Sequence, residues 1–257
     1  MKQSEFIEKR NKWLSEVSDT CHEFAKKIDL DFYVFQTPCD VYNPKLLLIG
    51  INPGGGKPYK QALEAKGYDK RPANDLANNI RLSEDKKSAD MRNWLTKVFN
   101  QENNFDIFND TVIMNMLYFN IGQAKNIEPE IRKYCVDKTI EFVEILNPQN
   151  ILFFTFDYKK LRSYGVKNIT VKERFIKQGI LGTHTVYAIP NYKYVQRNVD
   201  DTYPYTKEEC AKIVKSLNEI FGDQNLQDLQ DLRINKNHLN HNSDNWRQEW
   251  AKELVNN

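Results

Sequence analysis

Apolar and polar positions alternate along the chain in blocks that change period several times. Phe6, Trp13, Leu14, Val17, Cys21, Phe24 and Ile28 recur at helical spacing, so a long amphipathic helix is predicted over residues 4 to 28. KLLLIGI (45 to 51) is apolar at every position from Leu46 to Ile49, the signature of a strand buried on both faces of a parallel sheet. TVIMNMLYF (111 to 119), NILFFTF (150 to 156) and THTVYAI (183 to 189) read as three further strands. Between them, Met91, Trp94, Leu95, Val98 and Phe99 mark a helix, and a second runs from Pro129 to Leu146 with proline in its first turn. Thr206 and Glu209 form a capping box for a helix expected to end at Gly222.

Strands alternating with helices predict a three-layer α/β/α domain around a central, mostly parallel four-stranded sheet. The N-terminal helix precedes the sheet, and a lysine-bearing polar insertion spans roughly residues 57 to 88. The expected domain covers residues 1 to 222. From residue 223 the chain turns rich in Asn and Gln, a polar C-terminal extension. Trp246, Trp250 and Leu254 fall at i, i+4 and i+8, which fits either a docked terminal helix or a loose extension.

With 257 residues and 40% hydrophobic composition, the chain can bury one substantial core. Its formal net charge of +2 announces no global attraction to nucleic acid or membrane. Local charge is more telling: residues 158 to 177 hold seven Lys/Arg against the single Glu173. Such a run is a solvated face or a surface facing phosphates. The opening MKQSEFIEKRNKW lacks the apolar stretch of a signal peptide, and no apolar run approaches the ~18 residues of a membrane helix. A cytoplasmic location is expected, with no membrane partner. Cys21, Cys39, Cys135 and Cys210 are scattered without a C-x-x-C pair, and the four histidines make no metal-binding pattern. No metal or cofactor is expected.

The first strand runs into Gly50-Ile51-Asn52-Pro53 and three consecutive glycines before Lys57. This is not a phosphate-binding P-loop: anchored on Gly56-Lys57, the leading glycine falls on Ile51 and the magnesium-binding hydroxyl on Pro58. It is not a dinucleotide loop either, because Asn52 stands where the second glycine should be. Nucleotide triphosphates are therefore not the expected ligand.

In an open parallel sheet, ligands bind outside the carboxyl ends of the strands. Asn52 sits at such an end, where its side chain can cap a turn or hold a water without being ionised. An amide is a poor general base, so a reaction there needs a leaving group that departs largely unaided, as in cleavage of an N-glycosidic bond. Asn115 interrupts an apolar strand. Its buried amide needs partners, either backbone groups or a ligand edge presenting an acceptor beside a donor, as a nucleobase does.

These residues carry a resemblance. LLLIGINPG resembles the first active-site motif of the uracil-DNA glycosylase superfamily, especially that of the mismatch-specific uracil and thymine glycosylases. TVIMNMLYFN is similar to the strand that bears the superfamily's base-reading asparagine. ILFFTFDYKKL occupies the place of its third strand and following helix. TVYAIPNYKYVQRN looks like its second motif, ahead of the DNA-penetrating loop. The order and approximate spacing agree over residues 45 to 221. The resemblance implies a monofunctional glycosylase that flips a base out of DNA and hydrolyses its glycosidic bond. Asn52 would position the attacking water, with Gly50, Ile51 and Pro53 contacting the base and Asn115 reading it. Pro190, Asn191, Tyr192, Lys193, Tyr194 and Arg197 would hold DNA and fill the vacated stack. Tyr59 and Tyr68 are candidates for an aromatic that stacks on the base.

The second motif departs from the pattern. Ile189 stands where many members have a histidine that stabilises the departing base, and Asn191 replaces serine. Two other readings stay open: a catalytically silent relative that binds DNA or a modified nucleotide, and a nucleotide-processing α/β protein that does not act on DNA.

Overall fold

The computed structural model describes residues 1 to 54, 57 to 76, 110 to 121, 127 to 191 and 207 to 232, with side chains of the last segment described from 208 to 221. Helix α1 (Gln3–Ile28) opens the chain and closes on Asp29 in the left-handed region. Strand β1 (Leu46–Gly50) precedes a short helix α2 (Tyr59–Glu64) and a single 3-10 turn (Ala73–Asp75). Then follow β2 (Thr111–Asn115), α3 (Pro129–Leu146) and β3 (Ile151–Phe153). After a six-residue α4 (Tyr158–Ser163) come β4 (Lys167–Glu173), β5 (Ile176–Leu181) and β6 (His184–Ala188), and α5 (Lys207–Leu232) ends the described chain.

The sheet has six strands of mixed direction, in the order β2-β1-β3-β6-β5-β4. This corrects the expected mostly parallel sheet of four. The four strands read from the sequence are present, each shorter than the run that predicted it, and they are parallel to one another. β5 and β4 extend that sheet by antiparallel pairing. They escaped notice because β4, at the edge, buries no residue, so it carries no apolar alternation. Gly179 of β5 is required there: a Cβ would stand 2.5 Å from the Val166 side chain and 2.9 Å from the Lys167 carbonyl oxygen.

Alternation along β1 splits the core in two. Leu47 and Ile49 face one layer with Val112, Met114, Ile151 and Phe153, covered by α1 and α3. Leu46 and Leu48 face the other with Ile113, Leu152 and Ile189, covered by Cys210, Ile213, Leu217 and Phe221 of α5. Helix α5 does not stop at Gly222 but runs to Leu232. A helical glycine costs only ~1 kcal/mol relative to alanine, too little to end a helix by itself. All four cysteines are buried and none is in a disulfide, and burial pushes the Cys39 and Cys135 thiols up to about 12. No helix among the described residues is long and apolar enough to cross a membrane.

An unforeseen segment finishes the β2 side of the sheet. Residues 32 to 36 run antiparallel beside β2, bridging Phe35 to Met114 and Phe32 to Phe119. The Tyr33 amide donates to the Tyr118 carbonyl and the Gln36 amide to the Ile113 carbonyl, each at 2.8 Å. The described part of the polar insertion is docked onto this segment. Arg71 is fully buried, paired with Asp31 and with Asp75 (3.1 Å), and its guanidinium lies 4.4 Å from the centre of the Tyr33 ring. Ser18 of α1 donates to the Arg71 carbonyl at 2.6 Å. Burial pulls His22 below its ordinary pKa, which leaves a neutral ring whose Nδ1 sits 2.9 Å from the Tyr59 hydroxyl.

Asp31→Ala would remove the buried partner of the Arg71 charge and leave it with Asp75 alone. It is expected to cost about 3–5 kcal/mol, as loss of one member of a buried ion pair does. Urea denaturation of the variant against wild type measures it.

Candidate functional site at the strand ends

The parallel register brings the odd residues of the sequence to one edge of the sheet. Gly50 and Asn115 are the last residues of β1 and β2 and stand directly opposite each other. Beyond them the Met116 amide donates to the Gly50 carbonyl and the Leu117 amide to the Ile51 carbonyl, both at 2.8 Å. On the other side of β1, the Phe154 amide donates to the Ile49 carbonyl at 3.0 Å. The Ile189 amide in turn donates to the Phe153 carbonyl, also at 3.0 Å. The carboxyl ends of β2, β1, β3 and β6 thus form one rim, and Gly50, Ile51, Asn52, Pro53, Asn115, Ile189, Pro190 and Asn191 all lie on it.

Asn52 is half-buried, and its Nδ2 donates to the Ile121 carbonyl at 2.6 Å. That bond fixes which end of the amide is which, because a carbonyl can only accept. Among the described residues the Oδ1 of Asn52 accepts no hydrogen bond.

Asn115 is fully buried and is the last residue of β2, rather than an interior one. Its Nδ2 donates to the Tyr33 carbonyl at 3.2 Å, with the Val34 carbonyl at 3.5 Å, and its Oδ1 accepts from Gln36 Nε2 at 3.0 Å. The amide is therefore matched inside the protein, largely by the 32-to-36 segment. Gly50 makes room for this arrangement: a Cβ there would stand 3.3 Å from Asn115 Oδ1 and 3.9 Å from Gln36 Nε2.

Other expected residues are placed differently. Ile189 is fully buried in the core layer beneath α5, so only its backbone serves the rim. Tyr59 is 1% exposed and wedged between Phe32 and His22, with ring centroids at 5.7 Å from each, which leaves no face for a base. Tyr68 is half-buried beside Lys66. Tyr192, Lys193, Tyr194 and Arg197 lie outside the described residues, as do the glycines Gly55 and Gly56.

The basic stretch 158 to 177 is divided between α4 and the β4–β5 hairpin. Lys177 opposes Ala188, the last residue of β6, and so belongs to the rim. Its ammonium donates to the Phe156 carbonyl at 2.5 Å and lies 4.0 Å from the centre of the Phe156 ring. Tyr158, 39% exposed, stands 5.8 Å from the same ammonium and carries the Arg162 guanidinium 4.4 Å from its own ring centre. The Asp157 carboxylate is held below its ordinary pKa chiefly by the Lys160 amide, which it caps. Arg174, in the hairpin turn at this end, is paired with Glu209 at 3.1 Å.

Sequence reasoning missed Gln36 and the segment that carries it. The run LDFYVFQ, rich in aromatic and β-branched residues, was the available signal. Among the described residues no three His, Cys, Asp or Glu gather as a metal ion would require. A cavity of about 570 Å³ lies elsewhere, between α1, residues 38 to 40 and the 3-10 turn, toward the amino end of β2. No protein-family model matches the chain, and no curated protein matches it.

Gly50→Val should force the Asn115–Gln36 amide pair off the end of β1. A cost of about 1–3 kcal/mol is expected, the usual range for overpacking. Urea denaturation measures it, and the Asn115 and Gln36 side-chain amide resonances should move together. Unmoved resonances would show that the pair does not lie over Gly50.

Proposed function

We propose that the protein is a DNA glycosylase of the uracil-DNA glycosylase type, acting on uracil or another modified base flipped out of DNA. The observation that carries this reading is the Asn52 amide, tied by its nitrogen to the Ile121 carbonyl at the carboxyl end of β1. An oxygen fixed in this way can accept a hydrogen from one water and turn that water's lone pair toward a sugar carbon. Water then adds to C1′ as the glycosidic bond breaks. The base leaves with the electron pair of that bond, and the proton from water passes to base or solvent. Such a path suits a site with an orienting amide and no strong base, because an oxocarbenium-like sugar needs little nucleophilic help.

The rim gives the reading two further supports. The backbone of Gly50 and Ile51 ends β1 at the same rim, where a base and its sugar would approach. Phe156, Tyr158 and Lys177 put aromatic faces and a cation on the same edge, the mixture that receives bases and phosphates of a single strand. The loop of Pro190, Asn191, Tyr192, Lys193, Tyr194 and Arg197 leaves β6 on this edge and is proposed to enter the duplex.

A second reading, binding of DNA or a modified nucleotide without cleavage, is favoured by one observation. Ile189 points wholly into the core, so its side chain offers the departing base no hydrogen bond. On the cleavage reading the same fact restricts the enzyme to bases that leave readily.

Asn52→Ala should reduce single-turnover base excision by ~10²–10⁴-fold, the usual worth of a group that prepares the nucleophile. DNA affinity should change little. Excision at the wild-type rate would remove Asn52 from the mechanism.

Lys159→Ala combined with Lys177→Ala should weaken DNA binding for every sequence tested. The slope of log K against log salt should become shallower by about 1–2 units, near 0.9 for each lost duplex phosphate contact. Fluorescence anisotropy between low and moderate salt reads the slope. An unchanged slope would put the phosphates on another surface.

A further inference from the structure

We propose that Gln36 presents the polar edge that reads the base, with Asn115 as the residue that positions it. This inference rests on the glycosylase reading of the rim and assigns its specificity.

The assignment follows from which atoms can donate. Asn115 Nδ2 faces the carbonyl oxygens of Tyr33 and Val34, which only accept, so nitrogen must occupy that side of the amide. Its Oδ1 therefore faces Gln36, and Gln36 must answer with nitrogen, as it does at 3.0 Å. One hydrogen bond orients one amide, and that amide orients the next. Asn115 has no exposed surface to offer a ligand of its own. Gln36 is half-buried, and the Asn115 bond is the one its side chain makes among the described residues. Among the described residues its Oε1 and its second N–H have no partner. The Gln36 backbone is fixed as well, since its N–H donates to the Ile113 carbonyl at 2.8 Å.

The result is an acceptor beside a donor, in a fixed order, lying over the bare Cα of Gly50. A carboxamide of this kind pairs two-point with a nucleobase edge. Keto bases such as uracil present C=O beside ring N–H, while amino bases such as cytosine present an amino group beside ring N. The two offer donor and acceptor in opposite order, so a pinned amide matches one class and leaves its own groups unpaired with the other. Gln36 thus sets the choice between keto and amino bases. It also explains why the first strand must end in glycine.

The test compares excision from oligonucleotides carrying uracil-type and cytosine-type modified bases by wild type, Gln36→Leu and Gln36→Lys. The lysine variant keeps a donor toward Asn115 while removing the Gln36 oxygen, which guards against simple loss of folding. In parallel, the side-chain amide resonance of Gln36 is followed as free uracil or free cytosine is added. Wild type should prefer one class, and both variants should reduce the ratio of kcat/KM values by roughly 5–150-fold, the worth of one two-point base contact. Thermal melts establish that each variant is folded. An unchanged ratio in folded variants overturns the role of Gln36 and leaves the glycosylase reading standing. If wild type releases no base at all, the glycosylase reading fails and the resonance decides: a shift with one base class supports a base-binding edge at Gln36, and no shift with either overturns it.

Discussion

A carboxamide with no access to water needs hydrogen-bond partners, and the arrangement around the strand ends follows from how Asn115 meets that need. Its donors require carbonyls, which come from Tyr33 and Val34, so residues 32 to 36 must lie along β2. Holding that segment against the sheet is in turn the role of the buried Asp31–Arg71 pair and of the guanidinium stacked on Tyr33. An unpartnered amide of this kind would cost about 1–3 kcal/mol, comparable to a good fraction of the stability of a domain. The polar insertion, the first helix and the β2 side of the sheet are thereby tied into one unit behind the rim.

The same economy of amides runs through the proposed chemistry. Asn52 and Gln36 are each fixed at the nitrogen and, among the described residues, unengaged at the oxygen, one offered to the proposed water and the other to the proposed base. Neither carries charge, so the rim is suited to orienting neutral partners. Among the described residues, Lys177 brings a charge to its outer edge, beside Phe156 and Tyr158. Such a division suits a reaction in which the bond breaks largely by its own tendency and the protein supplies position. It also makes the missing histidine tolerable for a good leaving group.

How much of this could be read from the sequence depended on burial. β1, β2 and β3 are covered on both faces, so apolar runs announced them; β6, buried at Val186 and Ala188, was read from THTVYAI; and α3 begins at Pro129 as its proline predicted. β4 and β5 were hidden because an exposed edge strand needs no apolar pattern, and their cations read only as a basic surface. Asn52 was legible from Gly-Ile-Asn-Pro-Gly in its strand-to-loop setting. The partners of Asn115 were not, because Gln36 lies 79 positions away and meets it through tertiary pairing alone. Tyr59 was a candidate to stack on a base, but the insertion folds it inward against His22.

The central claim is that this rim cleaves a glycosidic bond. Its most direct measurement incubates the full chain with single-stranded and duplex oligonucleotides bearing a series of modified bases, and identifies both products by mass spectrometry. The account predicts free base and an abasic strand in equal amounts from at least one readily departing base, with the phosphodiester backbone intact until alkali is added. Recovery of every oligonucleotide unchanged, or strand cleavage without release of a base, would contradict it.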